Sequence, residues 1–445
     1  MSDERTTSVT FRSDGGPGPG EAGVFDQSGA LTATIPDLFG SLLDERSLAA
    51  DLWWIAASCM AVDRNLRRPA RHKWRSGQEW SRTIRASVPV QNPEWWSAHA
   101  DHVEDLLEWL TADAWKLEFL RGEVLSYRKQ SLDLEMSELI GEAALFSGGL
   151  DSVSGMIDDL RSSGDQLSAV SVSTNNRMHH LQSRVFHGLR SSLPRLRGLL
   201  SFTLQVHMNN TEDTVRTRGF VFLAAGVVSA IALGKDSLRL YENGPGALNL
   251  ALSRGQVGAQ TARAVHPKTL RYMERLAEGI TRAPFSIENR CFHLTKAEMV
   301  RRVPAEHEYD KLLAETISCD TGFAHHGSGG STHPHCGGCT SCLLRRQALA
   351  AAGRDVPTPR RRTPQRKLEH HNLMTWQVAR LRHAMSEGLS WRRMVREFPD
   401  LVCDPDSFRP ERRGELLDLF SRYAAEWDLP AVAAELGVQE TAPLP

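Results

Sequence analysis

The chain has 445 residues, which sets a prior of about three domains. Its 53 Lys and Arg against 54 Asp and Glu leave a formal charge of −1, so composition excludes a polyanion binder held by a broadly basic surface. With 41% hydrophobic and 24% charged residues, wholesale disorder is excluded as well.

The first 25 residues, with Gly-Gly-Pro-Gly-Pro-Gly at 15–20, predict a flexible arm. No basic segment followed by an apolar run marks a secretion signal. The longest uncharged run, 219–234, falls short of the ~20 residues a membrane span needs, so it predicts a buried helix. A cytoplasmic protein without membrane contact is expected. Residues 26–135 predict a small α/β domain that holds eight of the eleven Trp, at 53, 54, 74, 80, 95, 96, 109 and 115. Within it 51–62, 82–90 and 115–120 read as strands and 98–110 as a helix. No Lys or Arg interleaves the Trp cluster, so it reads as core and not as a base-stacking platform.

Over 136–353, short apolar runs alternate with helical patterns, the signature of a parallel α/β sheet. Strands are expected at 143–146, 167–173, 199–206, 238–242 and 285–287, and helices at 151–162, 178–191, 216–234, 267–281 and 295–303. A Pro- and Arg-rich stretch over 354–369 reads as a solvated linker in preference to a nucleic-acid contact. Beyond it Met374, Val378, Leu381 and Met385 share one helical face, which predicts a helical domain over 370–445.

Ser147-Gly148-Gly149-Leu150-Asp151-Ser152 follows the apolar run Ala-Ala-Leu-Phe and opens a helical pattern. Glycines let the backbone turn tightly against an oxyanion, free N–H groups point at it, and the helix dipole favours negative charge. The hydroxyls of Ser147 and Ser152 can donate to phosphate, and Asp151 can hold a divalent cation. The spacing and Lys of a Walker A loop are absent. A plain strand–helix turn capped by Asp151 is the structural alternative, and the full six-residue string in this setting favours phosphate.

Seven Cys are too few for a disulfide scaffold at this length. Three fall in Cys336-Gly-Gly-Cys339-Thr-Ser-Cys342, with Cys319 seventeen positions upstream. Four thiolates close a tetrahedral zinc site, and a closed site is structural. His333 and His335 compete as the fourth ligand, and a redox or iron–sulfur centre is the rival chemistry.

The string SGGLDS resembles the PP-loop of the ATP pyrophosphatase family. Its members cleave ATP between the α- and β-phosphates, adenylate a carbonyl or carboxyl oxygen, and let a nucleophile displace AMP. The resemblance implies a Rossmann-like parallel sheet of the adenine nucleotide alpha-hydrolase type, with ATP and Mg2+ as cofactors. It also implies a pyrophosphate cradle at Ser147, Gly148, Gly149, Leu150, Asp151 and Ser152, and adenine near Thr174. Cys336 to Cys342 followed by Leu343-Leu344-Arg345-Arg346, together with Thr295-Lys296-Ala297-Glu298, is similar to segments of QueC, the 7-cyano-7-deazaguanine synthase family. That similarity extends over roughly 142–350 and implies Zn2+ on Cys319, Cys336, Cys339 and Cys342. The Trp-rich region, the helical tail, and the segments Tyr241-Glu242-Asn243-Gly244 and Ala247-Leu248-Asn249 depart from QueC itself. With Arg216-Thr217-Arg218 and the 261–267 segment, these departures resemble the enlarged QueC-like proteins of bacterial anti-phage operons, above all the QatC component of the Qat system.

An adenylating site needs cations that the loop lacks. Arg216, Arg218, Arg263 and Lys296 stand near predicted helix starts, on the sheet edge where ligands bind. Arg218 and Lys296 are expected to join Ser147 and Asp151 in catalysis, and Arg216 to bind the nucleotide. Glu242, Asn243, Asn249, Arg263 and Lys296 are expected on the substrate. A carboxylate beside an amide suits a guanine-like edge, and a turn ending in Asn-Gly is an equal alternative. His179, His180, His207 and His266 read as surface histidines of the same domain.

The expected function is an ATP-dependent C–N ligase that adenylates a 7-deazaguanine carboxylate and joins it to an amine. The expected acceptor is the N-terminus of a partner protein from the same operon, with the Trp-rich and helical regions as docking surfaces. Nitrile synthesis with ammonia, tRNA modification through Cys291, and a non-catalytic nucleotide sensor are the alternatives. Nucleic-acid binding is not expected.

Overall fold

The computed structural model describes residues 6–12, 23–26, 31–38, 42–44, 46–68, 81–122, 127–130, 141–206, 212, 215–252, 263–319, 335–355, 364–386 and 388–436. The strands are β1 (Thr6–Arg12), β2 (Gly23–Asp26), β3 (Leu31–Pro36), β4 (Thr83–Val90), β5 (Ala114–Arg121), β6 (Tyr127–Gln130), β7 (Glu142–Leu145), β8 (Leu167–Ser173), β9 (Leu196–Val206), β10 (Ser237–Leu240) and β11 (Ser286–Asn289). They form two sheets among the described residues. A smaller parallel sheet runs β2-β1-β4-β5, and a central sheet runs β11-β10-β7-β8-β9-β3-β6. The central sheet is parallel except where β3 meets β9 antiparallel.

Every residue of β8, Leu-Ser-Ala-Val-Ser-Val-Ser, is buried because helices cover both faces of the sheet. On one face lie α1 (Leu48–Asn65) and α6 (Arg218–Ala232), packed in one core with Val170, Val172, Leu200 and Phe202. On the other lie α4 (Leu150–Ser162) and α5 (Asn176–Ser192), packed with Ala144, Phe146 and Ala169. Two short helices, α2 (Pro93–Ala98) and α3 (Ala100–Thr111), back the smaller sheet.

The strand expected over 51–62 is instead the 18-residue helix α1, capped by Ser47, whose hydroxyl accepts the N–H of Ala50 at 3.1 Å. It touches α6, β4 of the smaller sheet and β9 of the central sheet, so it is buried on every side. A helix enclosed in this way is apolar all round and shows no 3.6-residue period. Length was the surviving signal, since strands seldom exceed ~10 residues.

The Trp-rich region is joined to the central sheet, because β3 and β6 form its edge and one core runs through both parts. Trp53, Trp54, Trp96, Trp109 and Trp115 are buried, and the Trp53 ring lies 4.8 Å from Phe202 of β9. Trp74 and Trp80 lie outside the described residues. The expected arm over 1–25 contains β1 and part of β2, whose backbones extend the smaller sheet through β4.

After α7 (Gly244–Leu248) and α8 (Pro267–Thr281) come α9 (Lys296–Arg302), α10 (His307–Glu315) and α11 (Thr340–Ala351). The tail comprises α12 (Pro364–Met385), α13 (Trp391–Glu397), a 3-10 turn (Pro399–Cys403), α14 (Pro410–Glu426) and α15 (Pro430–Leu436). The expected linker over 354–369 is therefore helical from Pro364 onward. Met374, Val378 and Leu381 are buried together with Phe398, Leu419 and Phe420. That core reaches Leu248, Leu250 and Leu343, so the tail packs on α7 and on α11, the helix that carries Cys342. The uncharged run 219–234 is the buried α6, and no described helix is long and apolar enough to cross a membrane.

Candidate active site

The central sheet reverses its strand order at β7, which has β10 on one side and β8 on the other. In open α/β sheets such a reversal leaves a crevice at the carboxyl ends of the strands. Here the ends of β7 and β10 deliver Phe146-Ser147 and Tyr241-Glu242 to the walls of one cavity of about 540 Å³. Ser147, Ser152, Arg216, Arg218 and Arg263 also line it.

The loop between β7 and α4 has the shape of an anion cradle. Gly148 holds φ +73°, a left-handed conformation that a side chain would strain, and Gly149 caps α4. The hydroxyl of Ser147 donates to Ser152 Oγ at 3.1 Å and accepts the Gly149 N–H at 3.2 Å. Behind the loop Gln182 is buried, and its Nε2 donates to the carbonyls of Ser147 at 3.4 Å and Val172 at 3.2 Å. From the other side Ile317 donates its N–H to Gly148 O at 3.2 Å, and Ser318 Oγ accepts from Leu150 N at 3.2 Å. Gln182, Ile317 and Ser318 were invisible to motif reading, since no local pattern distinguishes them.

Beneath the loop, Asp151 is buried in contact with the Lys296 ammonium. Asn243 Nδ2 donates to Asp151 Oδ2 and to Glu242 Oε1, each at 2.7 Å. Asn243 Oδ1 accepts from Gly246 N at 2.9 Å, so this amide is fully engaged in holding the two carboxyls and starting α7. Burial acts to raise the Asp151 carboxyl, but the Lys296 charge and hydrogen bonds from Glu242 and Asn243 hold it below the usual range. Burial and the neighbouring Asp151 charge push Glu242 well above that range. The two acids thus divide the proton, with Glu242 holding it and Asp151 ionised. Oxygen donors of this kind suit a hard divalent cation such as Mg2+. Lys296 itself opens α9, where Thr295 and Glu298 form a reciprocal capping box.

The thiols of Cys319, Cys336, Cys339 and Cys342 all lie within 4.8 Å of one another. Two of the Sγ–Sγ separations are 3.9 Å. A tetrahedron with ~2.3 Å zinc–sulfur bonds has edges of ~3.8 Å, so the four thiolates fit that ion. Backbone N–H groups of Cys336, Gly338, Cys339 and Cys342 point at cluster sulfurs over 3.2 to 3.5 Å, as thiolates require. His335 stands outside the set. Its Nε2 lies 3.1 Å from the Thr316 carbonyl, and Nδ1 faces Cys342 Sγ at 3.8 Å. His333 lies outside the described residues.

Residues 264–353 match the family model described as queuosine biosynthesis protein QueC. The match supports a QueC-like PP-loop enzyme that uses ATP, for which ATP and Mg2+ are the implied cofactors. No curated protein matches the chain. The matched segment contains Lys296 and all four cluster thiols and stops short of the phosphate loop. The fold supplies the missing link, because Lys296 of the QueC-like segment touches Asp151 of the loop.

The arginines of the cavity, which lie outside the matched segment, are contacted from the Trp-rich region. Arg263 donates to the Trp109 carbonyl at 2.9 Å and lies 3.9 Å from the Trp109 ring centroid. Arg216 reaches the Thr111 carbonyl at 3.4 Å. Arg218 faces the cavity against the Phe222 ring, and among the described residues it has no carboxylate partner. Burial lowers Arg216 to about 10, and it lowers Arg218 and Arg263 too. Arg218 stays accessible to the cavity although protein crowds it on other sides.

Some expected residues stand elsewhere. Thr174 follows the end of β8 and does not line the cavity, and Asn249 is the left-handed C-cap of α7. His179 sits beside Ser201 at 3.1 Å, and His180 is exposed. His266 is not a surface residue. It is buried against Trp109 and caps α8 through Nδ1, which accepts from Lys268 N at 3.1 Å. His207 lies outside the described residues. Cys291, the thiol that tRNA thiolation would need, is buried in the core, and burial pushes its pKa up, away from the thiolate.

Proposed function

We propose that this chain is an ATP-dependent C–N ligase of the QueC-like kind, acting on a 7-deazaguanine carboxylate. The observation that carries the reading is one cavity lined by Ser147 and Ser152 of the phosphate loop, three arginines and Glu242, which Asn243 joins to the Asp151–Lys296 pair. The substrate carboxylate oxygen attacks the α-phosphorus of ATP, and the bond to the β-phosphate oxygen breaks. Ser147, Ser152 and the loop N–H groups hold the departing pyrophosphate, while Arg216 and Arg218 take up its growing charge. Asp151, with Glu242 once its proton is lost, would hold Mg2+, which neutralises phosphate charge. An amine nitrogen then attacks the acyl carbon, the C–O bond to AMP breaks, and the amine releases a proton.

The acceptor we favour is the N-terminal amine of a partner protein encoded nearby, as the resemblance to QatC and anti-phage operons suggests. An α-amine of pKa ~7.7–8.0 is far closer to its nucleophilic form at neutral pH than a Lys at ~10.4. A secondary amide cannot lose two N–H protons to become a nitrile, so the reaction would stop at the conjugate. Ammonia as acceptor would instead lead through a primary amide to 7-cyano-7-deazaguanine.

The test is to supply ATP, Mg2+ and 7-carboxy-7-deazaguanine and to resolve the nucleotide products. AMP and pyrophosphate are expected, and ADP with phosphate would remove the assignment. Intact-mass measurement of the co-expressed neighbour separates the acceptors: a modified N-terminus supports the ligase, and free nitrile with an unmodified neighbour supports plain nitrile synthesis.

A further inference from the structure

The turn that carries Arg216 and Arg218 into the cavity is fastened by a residue more than 150 positions earlier. Asp63, in the last turn of α1, is 0% exposed. Its Oδ2 accepts three hydrogen bonds, from Arg216 N at 2.8 Å, Thr217 N at 3.1 Å and Thr217 Oγ1 at 3.1 Å. Thr217 is itself 0% exposed and immediately precedes α6. The other carboxylate oxygen of Asp63 is held by Arg82 Nη2 at 2.5 Å, and Arg82 also binds Asp113 at 2.5 Å. Arg68 closes the group on Asp113 at 2.6 Å, so two buried carboxylates are balanced by two guanidinium groups. A buried carboxylate this fully satisfied has little freedom, and the backbone it holds inherits that rigidity.

The same region orients the side chains. The Trp109 and Thr111 carbonyls, at the C-terminal end of α3, receive Arg263 and Arg216. A helix C-terminus carries partial negative charge and favours cations there. Asp63, Thr217, Trp109 and Thr111 do not themselves line the cavity. They fix where three cations stand, and a cation helps a developing phosphate charge only if it is already in place.

We infer that Asp63 is a positioning residue for the nucleotide site, setting Arg216 and Arg218 through the Thr217 turn, so that the Trp-rich region is part of the anion-binding machinery. This goes beyond a docking role for that region, and it rests on reading the cavity as the ATP site. It follows that removing the region disables nucleotide binding as well as any later transfer step.

The test uses the full chain and ATP binding by calorimetry, with thermal unfolding measured in parallel. Thr217→Val is nearly isosteric and removes only the hydroxyl that Asp63 accepts. It should weaken ATP binding roughly tenfold, about 1.4 kcal/mol and the scale of one hydrogen bond to a charged group. Thr217→Ser keeps the hydroxyl and should restore parental affinity. Asp63→Asn should weaken binding further, with the KM for ATP rising more than kcat falls. Asp404→Asn breaks a buried pair of similar kind, with Arg412 at 2.7 Å, in the tail. It should lower thermal stability and leave ATP affinity unchanged. A folded Thr217→Val protein that binds ATP as tightly as the parent overturns the inference, as does an equal loss in Asp404→Asn. If the parent binds no ATP, the reading of the cavity itself falls, an outcome distinct from either of these. Should Asp63→Asn fail to fold, the Thr217 pair still decides.

Discussion

Ser318 Oγ accepts the amide N–H of Leu150 at 3.2 Å, which ties the residue before the first cluster thiol to the first turn of the phosphate-loop helix. One step earlier, Ile317 N donates to Gly148 O. The cysteine cluster is therefore bolted to the loop. Ser318→Ala should weaken ATP binding roughly three- to tenfold, since a neutral hydrogen bond contributes ~0.5–1.5 kcal/mol. Calorimetric titration of the folded variant with ATP checks this, and parental affinity would show that the tie is idle.

The thiol geometry predicts one zinc per chain, bound by Cys319, Cys336, Cys339 and Cys342. Removal of the metal should loosen the segment 317–319 and, through it, the loop. Cys339→Ser should yield protein with disordered structure around α11, because site formation and local folding are coupled. Elemental analysis is the measurement. Iron in the purified protein, or stoichiometric absence of metal with normal unfolding behaviour, would contradict the prediction.

Lys296 compensates a buried acid pair, so its loss and the loss of a loop hydroxyl should have different signatures. Lys296→Met leaves Asp151 without its ammonium and should cost on the order of 3 kcal/mol of stability. Ser147→Ala, at an exposed position, should unfold like the parent yet make AMP ~10²-fold more slowly. Denaturant titrations paired with AMP assays separate the two. Equal stability losses would mean that the Asp151 pair is not a buried charge in solution.

His266 predicts a pH dependence of known sign. Burial, then the charges of Arg263 and Lys268, lower its pKa from 6.5 to about 3, and its Nδ1 must stay unprotonated to cap α8. Well above pH 6.5 the imidazole is neutral both folded and unfolded, so it contributes no slope. As pH falls from 6.5 to about 3 the unfolded chain takes up a proton that the folded chain refuses, and stability drops by up to about 1.4 kcal/mol per pH unit. His266→Asn keeps a capping acceptor and removes the titration. The difference in unfolding free energy between parent and variant should therefore change across that window and stay flat above it. A difference independent of pH would refute the assignment.

The local chemistry of this protein was legible in the chain because it is written in adjacent residues. Ser147 to Ser152 is one turn of backbone, and three of the four thiols lie within seven positions, so strand–helix context and spacing sufficed to place both. The parallel strands β7 to β9 and the helices between them were equally visible, since each has its own apolar run.

What tertiary structure alone decided is where segments far apart in the chain meet. The proton-sharing pair of Asp151 and Glu242 exists only because β7 and β10 are neighbours at the point where strand order reverses, and each acid alone is an ordinary surface residue by type. Helix α1 carries no amphipathic period in its sequence, because enclosure between two sheets makes it apolar on every side. Asp63 carries no motif at all. Its role arises from burial beside the Arg216–Thr217 turn, where low dielectric and three fixed donors turn a common aspartate into an anchor.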